Sequence, residues 1–289
     1  MTALSPVRFR VADGLTVAGD AHGDPRHPPV ILLHGGGQTR HAWGGTAAAL
    51  AEKGWRAMAM DLRGHGDSDW APDGDYQLEA YVRDLLSIVG QLEQKPAVVG
   101  ASLGGLAALL ACGEAETPLV SALVLVDIAP RTEPTGVARI MNFMTASPDG
   151  FATLEEAADA VAAYQPQRPR PQSLEGLRKN LRQGDDGRFR WHWDPAMMNG
   201  ERRMNATRDP ARLQTASRRL RVPALLVRGR MSDVVSEDGV REFLQLCPQA
   251  ESVDVSGAGH MVAGDQNDPF TDAVVDFLRR VGGRHLGAM

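Results

Sequence analysis

Cysteine is nearly absent from this 289-residue chain, with Cys112 and Cys247 making up the whole complement. Both sit in apolar periodic stretches, AALLACGEA and REFLQLCPQ, where a small thiol packs as a hydrophobe, so no disulfide framework is expected. No window approaches the roughly 18 consecutive apolar residues that a bilayer span requires. The opening MTALSPVRFRVADG has no basic segment leading into an apolar run, so neither membrane insertion nor export is expected, and the cytoplasm is the expected compartment. Positive charge is not in excess: 31 Lys and Arg face 36 Asp and Glu, a net charge of -5 that offers no general field to nucleic acid or an anionic membrane. Lysine is scarcer still, being present only as Lys53, Lys95 and Lys179. The chain has no G-x-x-x-x-G-K-[ST], and Gly64-x-Gly66 lacks a glycine three residues on, so no nucleotide cofactor is implied. Histidines and cysteines do not recur at metal-ligand spacings, and no metal is expected.

What is present is the make-up of an ordinary globular protein, 43% hydrophobic and 23% charged, near the upper size that one core supports. VRFRVAD and LTVAGDA read as an opening hairpin around Asp13-Gly14, with both turn residues at positive φ. PVILLHG, WRAMAMDLR, PAVVGAS, ALVLVDIA, PALLVRG and ESVDVSG read as further strands whose apolar continuity suits burial on both faces. Helical periodicity fills the gaps at about 41–53, 77–93, 103–113, 236–246 and 268–281, the last carrying Phe270, Val274, Phe277 and Val281. This alternation predicts an α/β fold, a mostly parallel sheet of about eight strands flanked by helices.

One stretch breaks the rhythm. From 131 to about 215 no convincing buried strand occurs, and helical patches alternate with proline-rich joints such as Arg168-Pro169-Arg170-Pro171. It is too long for a plain loop and holds Phe143, Phe151, Tyr164, Trp191 and Trp193, which a linker would not need. The expected organisation is a main domain of 1–130 and 216–289 with a helical cap inserted at 131–215.

Three motifs carry chemistry. Gly100-Ala101-Ser102-Leu103-Gly104 is G-x-S-x-G between an apolar strand and an Ala/Leu-rich helix, the setting in which a sharp turn lifts a nucleophilic serine above a sheet. His34-Gly35-Gly36-Gly37 follows another strand, and its glycines can bring backbone amides to a bound oxygen. The Gly36 amide, ahead of that of Gly37, is the expected first donor of an oxyanion hole, and Leu103, at the start of the helix, the second. A serine needs a base, and the base a carboxylate to orient it. His260, in the glycine-rich loop SGAGHM before the last helix, is the expected base. Asp233, just past the strand PALLVRG, is the preferred acid, and Asp127, in VLVDIAP at the end of the strand before the cap, the competing one. His34 is expected to be structural.

Taken together, HGGG, the elbow around Ser102, Asp233, His260 and the turn Asp61-Leu62-Arg63-Gly64-His65-Gly66-Asp67-Ser68 resemble the α/β-hydrolase superfamily in its cap-bearing serine-hydrolase and esterase branch. The resemblance spans essentially the whole chain. It implies Ser102 as nucleophile, Asp233 as acid, His260 as base, Gly36 and Leu103 as oxyanion donors, and His65 as a turn residue. Relatives that attack with an aspartate at the elbow form an alkyl-enzyme; Ser102 points instead to acyl transfer.

The expected activity is cofactor-free hydrolysis of a small to medium, largely apolar ester or lactone. Gly37, Trp43, Met141, Phe143, Met144, Tyr164, Trp191, Trp193, Met197, Met198 and Met261 are candidate pocket residues. Two alternatives stay open: the same triad acting on a C–C bond or in acyltransfer or perhydrolysis, and a ligand receptor with slow turnover. The partner in each case is a small molecule, with neither nucleic acid nor membrane expected.

Overall fold

The computed structural model describes residues 4–166, 174–204, 209–260 and 267–286. Eight strands form one sheet: β1 (Ser5–Arg10), β2 (Thr16–His22), β3 (Pro29–Leu33), β4 (Arg56–Met60), β5 (Ala97–Ala101), β6 (Ala122–Val126), β9 (Ala224–Gly229) and β10 (Glu251–Val255). Their order is β1-β2-β4-β3-β5-β6-β9-β10, with the β1–β2 and β2–β4 pairings antiparallel and the remaining pairings parallel. β3, β5, β6 and β9 are buried almost throughout, as their unbroken apolar sequences require. β10 differs from expectation: it is the edge strand, and Glu251 to Asp254 are exposed. The opening hairpin also differs, since five residues separate Arg10 from Thr16 and only Gly14 takes a positive φ, +78°.

Helices α1 (Gly44–Glu52), α2 (Leu78–Gly90), α3 (Ser102–Glu114), α8 (Pro210–Arg219), α9 (Glu237–Leu246) and the C-terminal helix Asn267–Leu286 cover the two faces. One core lies under α2, α3 and α8; the other lies under α1 and the C-terminal helix, where Phe270, Val274, Phe277 and Val281 are all buried as their spacing predicts. Between β6 and β9 the chain leaves the sheet through α4 (Pro134–Thr145), α5 (Leu154–Tyr164), α6 (Glu175–Arg178), the hairpin of β7 (Leu181–Gln183) and β8 (Phe189–Trp191), and α7 (Ala196–Asn199). The hairpin went unpredicted because LRQ and FRW are too short and polar to show a strand pattern. The expected cap boundary at 215 falls inside α8, which packs on α3 so closely that a Cβ on Gly113 would meet the Ala216 carbonyl at 2.3 Å. Among the described residues no helix is long and apolar enough to cross a membrane.

Candidate active site

β5 ends at Ala101 and α3 begins at Ser102, whose φ of +44° lies in the left-handed region that costs a non-glycine residue about 1–3 kcal/mol. The flanking glycines are required by contact. A Cβ on Gly100 would lie 2.7 Å from the Gly104 carbonyl, and one on Gly104 would lie 2.6 Å from Leu33 Cβ and 2.8 Å from the His34 carbonyl. Helix, strand and the loop after β3 therefore converge on the serine.

That loop runs against Ser102, since a Cβ on Gly35 would sit 3.2 Å from Ser102 Cβ. Its amides are individually accounted for. Gly35 N–H donates to Gln38 Oε1 at 2.9 Å and Gly37 N–H to His65 Nε2 at 3.1 Å, which leaves the Gly36 amide with no acceptor among the described residues. Leu103 N–H, in the first turn of α3, has no intrahelical acceptor by the geometry of any helix start. Gly36 and Leu103 border one cavity together with Ser102 and His260.

Two buried histidines brace the loop as neutral rings. His34 Nδ1 donates to the Gly35 carbonyl at 2.7 Å while its Nε2 accepts from Leu62 N–H at 3.0 Å, and His65 Nδ1 donates to the Arg63 carbonyl at 3.0 Å. Burial pulls His34 down to about 4; burial and then the neighbouring His34 pull His65 down to about 3. His192, whose Nδ1 accepts from Gly66 N–H, is lowered in the same direction by burial. Protons therefore bind the unfolded chain first as the pH falls below about 6.5, so these rings destabilise the fold progressively between about 6.5 and 4 and have no effect above that window. Urea midpoints should be flat from pH 8 to 7 and fall from pH 6.5 to 4.5, and His65→Gln should flatten part of that slope.

The carboxylate that partners His260 is where expectation and structure part. His260 Nδ1 donates to Asp127 Oδ2 at 2.7 Å, and Asp127 is fully buried at the end of β6 with φ +47°. The same Oδ2 accepts from Ser232 Oγ–H at 2.5 Å, and Oδ1 accepts from Gly229 N–H at 3.0 Å. Asp233 does not reach His260. Its carboxylate is partly exposed and holds Arg139 of α4 through contacts of 2.9 and 3.0 Å, and α4 crosses so near that a Cβ on Gly136 would meet the Asp233 carbonyl at 2.1 Å. The loop after β9 thus turns Asp233 outward to the inserted segment and Ser232 inward to Asp127.

Ser232 is a positioning residue that the sequence reading missed. Its oxygen accepts from Val234 N–H and Val235 N–H, both at 3.1 Å, so its proton is committed to Asp127. Ser232→Ala should lower kcat about tenfold with KM within about twofold, and Ser232→Thr should restore most of the loss. An equal loss in kcat and rise in KM would mark a general structural defect instead.

The cavity measures about 430 Å³. Gly37, Met141, Phe143, Met144, Tyr164, Trp191 and Trp193 border it, as expected. Phe143 stacks on Tyr164 with ring centres 4.3 Å apart and Trp191 on Trp193 at 5.0 Å, building an aromatic wall from the inserted segment. Ile140, Leu177 and Met204 also border it, and a Cβ on Gly36 would sit 3.3 Å from Met204 Sδ. Trp43 does not line this cavity. It is fully buried against Phe270 of the C-terminal helix, because the tight turn Arg40–Trp43 sends His41 and Ala42 to the cavity and the next side chain to the other face of the sheet. Met197 and Met198 are core residues rather than lining, and Met261 lies outside the described residues. Among the described residues no three His, Cys, Asp or Glu side chains gather as a metal site would need.

Comparison with known proteins agrees with this architecture. The chain is 32% identical over 261 residues to esterase Rv0045c of Mycobacterium tuberculosis, covering 88% of this chain and 82% of that one. It is 30% identical over 269 residues to the mouse sn-1-specific diacylglycerol lipase ABHD11, covering 89% and 82% respectively. A crystal structure of Rv0045c superposes with a TM-score of 0.72 at 29% identity, over 97% of this chain and 91% of that one. E-2-(acetamidomethylene)succinate hydrolase superposes with a TM-score of 0.83 at 23% identity over 96% and 100%, a likeness of fold. The profile of the alpha/beta hydrolase fold matches residues 28–265, and the chain belongs to that family.

Proposed function

We propose that the protein is a cofactor-independent serine hydrolase that cleaves small to medium carboxylic esters or lactones, with Ser102, His260 and Asp127 as its triad. The observation that carries the reading is the hydrogen bond between His260 and buried Asp127, beside a cavity that also holds a strained Ser102 and an open Gly36 amide. His260 Nε2 takes the Ser102 proton as Oγ attacks the ester carbonyl, and Asp127 stabilises the imidazolium that forms. The oxyanion receives the Gly36 and Leu103 amides, the second backed by the dipole of α3. His260 then protonates the leaving alkoxide, and the acyl-enzyme remains on Ser102. Water, activated by the same ring, attacks that ester, and the acid leaves with Ser102 reprotonated.

The segment 131–209 serves in this reading as the cap, its aromatic wall supplying an apolar acyl or alcohol pocket. The esterase and lipase names of its relatives support ester chemistry. The test is intact-mass analysis after treatment with a fluorophosphonate. One adduct on wild type that is lost in Ser102→Ala is the expected result, and an unmodified, folded wild type would overturn the reading.

A further inference from the structure

The cavity wall carries an uneven set of charges. Among the described residues no Asp or Glu borders it, and Lys179 is the one bordering side chain with a permanent charge. Two arginines on flanking elements are neutralised: Arg40 is held by Asp20, Asp61 and Asp67, and Arg139 by Asp233. Lys179 makes no ion pair with any described residue, and it is exposed, just beyond the end of α6. His41, on the main-domain side of the same cavity, is lowered by burial, by Arg40 and, more weakly, by Lys179, so the ammonium's field reaches across the mouth.

Beside it, Asn180 is oriented. Thr39 Oγ–H donates to Asn180 Oδ1 at 2.9 Å, joining the inserted segment to the loop of the oxyanion donors. The oxygen being occupied, the Asn180 side-chain N–H groups are donors that border the cavity and have no acceptor among the described residues. A point-like ammonium and a fixed amide thus stand together at one margin of a cavity whose inserted-segment wall is largely aromatic and aliphatic. That is the donor set for a carboxylate attached to an apolar body.

We propose that Lys179 and Asn180 recognise a carboxylate at the end of the substrate remote from the scissile bond. The preferred substrates are then monoesters of dicarboxylic acids, or lactones bearing a carboxylate. This rests on the hydrolase reading above and narrows its substrate class.

The test compares p-nitrophenyl hemiglutarate and hemiadipate with neutral p-nitrophenyl esters of matched acyl length. Wild type should favour the anionic member of a pair in kcat/KM, through KM, and 0.5 M NaCl should compress the preference. The anionic-to-neutral ratio should fall about fivefold in Lys179→Ala and more than about twentyfold in Lys179→Glu, and should persist in Lys179→Arg. A ratio unchanged within twofold in Lys179→Glu, or a wild-type preference for the neutral ester at both lengths, would overturn the proposal while leaving the hydrolase reading standing. Failure of wild type to turn over either member, together with no fluorophosphonate adduct, would remove both.

Discussion

Asp127→Asn should lower kcat on a neutral ester by about 10³- to 10⁴-fold with little change in KM, while Asp233→Asn should remain within about threefold of wild type. The asymmetry follows from what each carboxylate faces. Three donors converge on Asp127: His260 Nδ1–H, Ser232 Oγ–H and Gly229 N–H. An asparagine offers one oxygen to those donors and must turn its NH2 toward at least one of them. Gly229 N–H cannot rotate, so the asparagine oxygen stays on it and the NH2 takes the place of Oδ2, which both Ser232 Oγ and His260 Nδ1 face. The NH2 is therefore forced toward His260, whose Nδ1 must then accept. That places the ring proton on Nε2, the atom that has to receive the serine proton, and the base is lost through its tautomer without any change in the ring's position. Asp233 has no such link; removing its charge frees Arg139 and loosens one tie to the inserted segment. Steady-state kinetics on the two variants, with thermal midpoints to verify folding, decide the matter, and the reverse ranking would return the acid to Asp233.

The exchange of these two aspartates marks how far the sequence is legible. Both end strands at the same sheet edge, so strand patterning alone gives them equal claim. What separates them is a backbone angle of +47° at Asp127 and an arginine on α4 that captures Asp233, and neither leaves a local trace in the chain. The turn at Ser102 was legible because a strand, a sterically compelled turn and a helix occupy consecutive residues. The central strands were legible for a similar reason, since burial on both faces leaves an unbroken apolar run. Trp43 was misassigned because a turn of four residues separates neighbours onto opposite faces of the sheet, a consequence of the fold rather than of composition. The inserted segment was recognisable by its missing strands and its aromatics, but its LRQ and FRW hairpin and its packing limit at α8 depend on tertiary contact.

Ser102→Ala and Ser102→Gly should both reduce turnover by about 10⁶-fold, yet they should part in stability. Each removes the hydroxyl that carries the acyl group in the proposed mechanism, so kinetics cannot distinguish them. Their backbones can. At φ +44° an alanine meets the same conflict between Cβ and carbonyl as the serine, so Ser102→Ala should melt close to wild type. Glycine enters that region without the conflict, and Ser102→Gly should gain about 1 kcal/mol, partly offset by the greater freedom of glycine in the unfolded chain. For a chain of this size the gain corresponds to a rise of about 2–4 °C in midpoint. A higher midpoint in Ser102→Gly than in Ser102→Ala, with both inactive, would mean that the turn stores energy to hold Oγ above the sheet and that activity is maintained against stability at this residue. Equal midpoints would mean that the packing of Gly100 and Gly104 against Leu33 and His34 already fixes the turn, so that the hydroxyl's position is a consequence of the glycines and Ser102 itself bears no strain. Differential calorimetry on the three proteins at one pH above 7, where the buried histidines no longer contribute, separates these outcomes.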